Sequence, residues 1–228
     1  MKRSRASVVS LAAAALVFLA PGAARASGSS SMPRGQQMPT PSPEQVAVEY
    51  YNDGISYRDK AATLEKEAAA ETDLKKKEKL ETKAKDKHES SIKKFVNATH
   101  KDPKMVPAWG SLGYAYRKVG NYQDSLDAYA KALELQPAYT PAIEYRAEAY
   151  LGLGRLDDVR SAYMTLFNAD RPRASELAAA IDRWIEKSKA NPGNVDPAKV
   201  EEFGKWASER KQLASQTSSV TSPKELRW

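Results

Sequence analysis

Between Ala108 and Pro137 the sequence reads AWGSLGYAYRKVGNYQDSLDAYAKALELQP, and the spacing of its apolar and small residues constrains the fold more than any bulk property does. Trp109, Leu112, Gly113 and Tyr116 fall three, four and seven positions apart, which sets them along one side of a helix. VGNY supplies a turn, and Ser125, Tyr129 and Ala132 repeat the same periodicity on a second helix. Pro137 cannot continue that helix without losing a hydrogen bond, so it separates this unit from the next. Gly113 and Ser125 are small where two helices cross closely, and Trp109, Leu112, Tyr116 and Tyr129 can fill the space around the crossing.

Taken together, Trp109, Leu112, Gly113, Tyr116, Ser125, Tyr129, Ala132 and Pro137 form a pattern that resembles a tetratricopeptide repeat. One helix pair cannot bury its apolar face alone, so neighbours are expected on both sides. A frame shift of 34 residues places Ile143, Ala147, Tyr150, Gly154, Val159, Tyr163 and Leu166 on equivalent positions. This unit is degenerate, with Arg146 where the family has leucine and Pro172 one place late. Upstream, Tyr50, Gly54 and Tyr57 read as a first helix, with Ser91, Phe95, Ala98 and Pro103 as its second. Tyr57 and Ser91 lie 34 positions apart where Tyr116 and Ser125 lie 9 apart, so the first unit carries 25 extra residues. The insert region over 58–89 is mostly Ala, Glu, Lys, Leu and Asp and has no Gly or Pro, which predicts two lengthened helices in a projecting antiparallel hairpin. Thr72 and Asp73 mark the start of its second arm, and with few leucines the projection is expected to fray first.

The remaining punctuators, Pro103, Pro107, Pro141, Pro172 and Pro192, also separate helical patterns, and no alternating run is long enough for a strand. After Pro172, Leu177, Ile181, Trp184 and Ile185 share a helix face, and Asp196 and Pro197 start a last helix with Val200, Phe203 and Ala207 inward. Neither helix carries the repeat signature, and both are expected to cap the stack. The expected fold is all-α, a short solenoid of helix-turn-helix units. It divides into a first unit over 44–105, a best-matching unit over 106–139, a degenerate unit over 140–172 and capping helices over 173–214.

Charge bears on the partner. The formal net charge is +7, but Lys2, Arg3, Arg5 and Arg25 belong to an opening with a basic start, an apolar run over 8–20 and Ala24 and Ala26 at a cleavage site. That arrangement predicts a signal peptide over 1–26, with a retained anchor as the alternative. Its removal leaves 32 basic residues against 29 acidic, a net +3. Residues 27–43 read as a flexible Ser/Pro-rich leader and 215–228 as a flexible tail ending in Trp228. Absence of cysteine excludes disulfides and thiolate chemistry and fits an oxidising compartment, so bacterial periplasm is the expected location, with secretion as the alternative.

The run Lys75, Lys76, Lys77, Lys79, Lys83, Lys85 and Lys87 is broken by Glu78, Glu81 and Asp86 and has no interleaved aromatic, which argues against nucleic acid. It reads as a solvated helix face, with weak contact to an anionic envelope surface as a secondary reading. His88 and His100 have no metal-ligand or triad spacing and are expected to be solvated or capping. No enzyme, cofactor or metal is expected. The resemblance instead implies a peptide or protein segment held in a concave groove by first helices. Its positions fall at Val48, Tyr51, Asn52 and Ile55, at Gly110, Ser111, Tyr114 and Arg117, and at Glu144, Tyr145 and Glu148. The lysine and asparagine set with which some members of that family clamp a terminal carboxylate is absent. A scaffold or adaptor of the cell envelope is the expected function, and self-association through the long hairpin the alternative.

Overall fold

The computed structural model describes residues 40–191, 193 and 195–221. Among them are eight α-helices and no strand: α1 (Pro43–Ala70), α2 (Leu74–Lys101), α3 (Val106–Lys118), α4 (Tyr122–Leu135), α5 (Thr140–Gly152), α6 (Leu156–Ala169), α7 (Arg171–Ala190) and α8 (Pro197–Thr221). The expected signal peptide, nearly all of the leader, and the tail from 222 to Trp228 lie outside the described residues. The fold is all-helical, and α8 continues to Thr221, past the boundary expected near 215.

Local sequence sets the helix starts. At α1 the Ser42 hydroxyl accepts from the Gln45 amide and the Gln45 side chain accepts from the Ser42 amide at 2.8 Å. This reciprocal cap is completed by Pro43 in the first turn, where a missing N–H costs nothing. The Asp73 carboxylate accepts from the amides of Lys75 and Lys76 and opens α2, so the chain reverses over three residues. Gly120 and Gly154, with φ of 84° and 68°, terminate α3 and α5 in a left-handed conformation that glycine adopts without a side-chain clash.

Close crossings hold the pairs together. An added Cβ on Gly54 would stand 2.5 Å from the Phe95 ring, and one on Gly113 would stand 2.6 Å from the Tyr129 ring. Glycine therefore lets the first helix of each of the first two pairs lie directly on an aromatic ring of the second. In the third pair the fully buried Ala147 and the buried Tyr163 share one cluster. Ser125 does more than make room, since its hydroxyl donates to the Gly113 carbonyl at 2.8 Å and links the two helices. The C-terminal core joins Leu166 of α6, Leu177, Ile181 and Ile185 of α7 and Phe203 of α8 in one cluster, and Trp206 stacks on Phe203 at 5.3 Å.

α1 and α2 are each 28 residues long, against 13 for α3 and 14 for α4. Their extra length is sealed by alanines: Ala61, Ala68 and Ala84 are buried between the arms. The level of α3 along the hairpin is marked by Lys118, whose amine meets Glu65 at 2.7 Å. α1 runs on for five residues past that contact to Ala70. His88 departs from the expectation of a solvated side chain. It is 1% exposed, its Nε2 lies 3.0 Å from Glu65, and its ring meets Tyr114 edge-on at 6.0 Å. His100 is exposed.

Candidate binding groove

Three successive first helices and the start of α7 surround a cavity of about 320 Å³. Tyr51 and Arg58 come from α1, Gly110, Ser111 and Tyr114 from α3, Tyr139, Pro141 and Tyr145 from the start and first turns of α5, and Arg173 from α7. Tyr51 and Arg58 are seven residues apart, two helical turns, and so share a face. Tyr51 rests on Phe95 at 5.8 Å between ring centres. Tyr114 and Tyr145 meet edge to face at 5.2 Å. Gly110 has no side chain because the Tyr139 ring occupies that space: an added Cβ would lie 3.0 Å from it.

Ion pairs brace the walls. Arg117 and Glu148 pair at 2.6 Å with both side chains mostly buried, and the Arg117 guanidinium lies 5.2 Å from the Tyr114 ring centre and 5.7 Å from that of Tyr145. Burial alone would lower the Arg117 guanidinium, but Glu148 and the neighbouring phenols outweigh it and hold it above its ordinary value. Glu144, 4% exposed, pairs with Arg173. Burial pushes its carboxyl up despite the bond from Arg173. Burial also raises the phenols of Tyr114 and Tyr139, so both present neutral hydroxyls at neutral pH. Among the described residues Arg58 forms an ion pair with its chain neighbour Asp59 at 3.1 Å, an exposed contact that contributes little.

Of the residues singled out in the sequence, Tyr51, Gly110, Ser111, Tyr114 and Tyr145 line this cavity. Arg117 and Glu148 stand behind the tyrosines as a brace. Glu144 is buried and satisfied by Arg173, so it does not face a ligand. Ile55 packs against the cluster of Phe95, Leu112, Ala115 and Ala128. Val48 and Asn52 are exposed on α1 and are not part of the cavity wall. Arg58, Tyr139, Pro141 and Arg173 belong to the wall without having been singled out. Arg58 had a signal, its spacing from Tyr51, whereas Tyr139 sits at a helix start and Arg173 on a helix outside the repeat pattern. Among the described residues no group of three or more His, Asp or Glu side chains could hold a metal ion, and no helix is long and apolar enough to cross a membrane.

Residues 106–139, spanning α3 and α4, match the family model described as Tetratricopeptide repeat. Over 117 residues the chain is 23% identical to Hsp70-Hsp90 organizing protein 3 of Arabidopsis thaliana, which is 51% of this chain and 21% of that protein. Over 70 residues it is 33% identical to Superkiller protein 3 of Saccharomyces cerevisiae, 31% of this chain and 5% of that protein. The chain thus spans about a fifth or less of the curated relatives it matches. Among solved structures, the first TPR of Spaghetti (RPAP3) bound to HSP90 peptide SRMEEVD is similar at 17% identity and a TM-score of 0.38, covering 55% of this chain and 94% of that one.

Proposed function

We propose that the protein is a non-catalytic scaffold or adaptor that holds a peptide or protein segment in the groove walled by Tyr51, Tyr114, Tyr139 and Tyr145. The observation that carries this reading is the convergence of four tyrosines from three helix pairs on one cavity. Tyrosines offer a large, rigid contact area with a hydroxyl at the rim, and they bury it at small cost in side-chain entropy. The surrounding arginines and glutamates largely neutralise one another, so the groove selects by shape and aromatic contact more than by net charge. The repeat match over 106–139 supports the same class of function. The signal-like opening of the sequence supports a site of action in the cell envelope, the periplasm first.

A displayed library of short peptides tests the reading. Peptides enriched on the wild-type protein should fail to bind a Tyr51→Ala, Tyr114→Ala, Tyr145→Ala variant whose helical circular-dichroism signal is retained. Enrichment that is unchanged on the folded variant would sink the groove as the binding site.

A further inference from the structure

On the other side of α3 lies a larger cleft, of about 630 Å³, with no role in the groove. Its floor is apolar, formed by Val96 of α2, Leu112 and Tyr116 of α3 and Ala128 of α4, with the Trp109 indole at its edge. Asp124, Asp127 and Glu134 stand along its α4 rim, with Lys131 among them and His100 on the α2 side. Lys131 is tied to Glu134 at 2.7 Å. Asp124 and Asp127 are met only by neutral amides, from Asn121 at 2.6 Å and Gln123 at 3.2 Å, and neither has an ion pair among the described residues.

The hairpin tip has the matching chemistry. Leu74, the first residue of α2, is 80% exposed, the most exposed large apolar side chain described. Lys75, Lys76 and Lys79 beside it are exposed, and from Leu74 to Lys87 seven lysines stand against Glu78, Glu81 and Asp86. The acids of the turn itself are directed into it: Glu71 accepts from the Thr72 and Asp73 amides, and Asp73 from those of Lys75 and Lys76. Leu74 and Val96 sit on one continuous helix 22 residues apart, so the tip is held about 33 Å from its own cleft at 1.5 Å per residue. It can reach a cleft only on another molecule.

We propose that the cleft between α2 and α4 receives the hairpin tip of a second copy of this chain, with Leu74 set against Leu112 and Tyr116 and the tip lysines facing Asp124 and Asp127. Tip and cleft are different patches, so the contact is head to tail, and where it runs on openly rather than closing into a ring it leaves a free tip and a free cleft at the two ends of the complex. One apolar anchor with charged flanks makes a small interface, and the association is correspondingly weak and concentration-dependent. It is independent of the tyrosine groove.

Sedimentation equilibrium of the full chain over a wide concentration range tests this. The wild-type average mass should climb past that of a dimer as concentration rises, and fall back in high salt. Leu74→Asp, at a side chain that is 80% exposed, and the pair Asp124→Lys with Asp127→Lys should each remove the climb while circular dichroism shows the fold intact. Mixing those two defective proteins leaves one good tip and one good cleft, so the mixture should stop at a one-to-one complex. The triple tyrosine variant should associate as the wild type does. A wild-type chain that stays monomeric, growth that survives both changes, or a mixture that fails to pair would each overturn the proposal. So would a monomer whose Leu74 and lysines bind vesicles containing anionic phosphatidylglycerol, since the tip would then serve a membrane surface.

Discussion

Gly113→Ala is the sharpest probe of how the helix pairs are held. A methyl group at this position would lie 2.6 Å, 2.7 Å and 2.9 Å from three atoms of the Tyr129 ring. Real Cβ atoms essentially never approach this closely, and Tyr129 is completely buried, so the ring cannot swing out of the way. Two effects then oppose each other. Alanine in a helix interior is better than glycine by roughly 0.5–1 kcal/mol. Overpacking a filled core costs about 1–3 kcal/mol, and separating α3 from α4 also stretches the 2.8 Å bond from Ser125 to the Gly113 carbonyl, worth a further ~1 kcal/mol. The clash should win, leaving the protein about 1–3.5 kcal/mol less stable in urea or thermal unfolding followed by circular dichroism. A companion Tyr129→Leu change removes the offending atoms. In that background the added methyl should cost less, a coupling that a double-mutant cycle reads directly. A Gly113→Ala protein that is more stable than wild type would refute the reasoning, because the crossing would then have slack and glycine would be there for some other purpose.

Three further outcomes follow from the charges and the hairpin. The Glu65 carboxyl is half-buried, which would raise it, but hydrogen bonds from His88 and Lys118 hold it below its ordinary value of 4.5. A depressed acid contributes stability that is present above its unfolded pKa and is lost as pH falls through the folded one, so Glu65→Gln should flatten the loss of stability below about pH 4.5 in pH-dependent unfolding. Glu144 has the opposite sign: burial raises its carboxyl, so Arg173→Ala should cost about 1–3 kcal/mol at neutral pH and less as acid protonates the stranded carboxylate. An equal cost at pH 4 and pH 7 would count against a buried ion pair. In hydrogen exchange, amides on either side of the Thr72 turn should exchange sooner than those from Trp109 to Tyr116, because the fully buried apolar side chains described there are small alanines.

Sequence made the helix ends and crossings legible because both depend on local chemistry. Asp73 shows as a cap whatever surrounds it, and a glycine in an apolar helical stripe points to an aromatic partner one helix away. The groove tyrosines followed from the periodicity of the first helices. What escaped depends on distant packing. His88 sits in a lysine run whose local pattern is that of a solvated face, and only the approach of Tyr114 and Glu65 buries it. Glu144 looked like a groove acid because its partner Arg173 is 29 residues away on a helix outside the repeat pattern. Arg58 fell within the residues assigned to the hairpin, although it faces the cavity two turns from Tyr51. The extension of α8 to Thr221 runs through Gln, Ser and Thr, whose weak helix preference gives no boundary in the sequence.

The groove itself is tested most directly by carbon-13 labelling of the tyrosine rings, with resonances assigned from single Tyr→Phe variants and followed by NMR as a library-selected peptide is added. The expected result is a change confined to Tyr51, Tyr114, Tyr139 and Tyr145, which line the cavity, while Tyr116, across α3, and Tyr163, in the C-terminal core, stay where they were. Saturable peptide binding that moves Tyr116 or Tyr163 and leaves the four groove tyrosines unshifted would contradict the account.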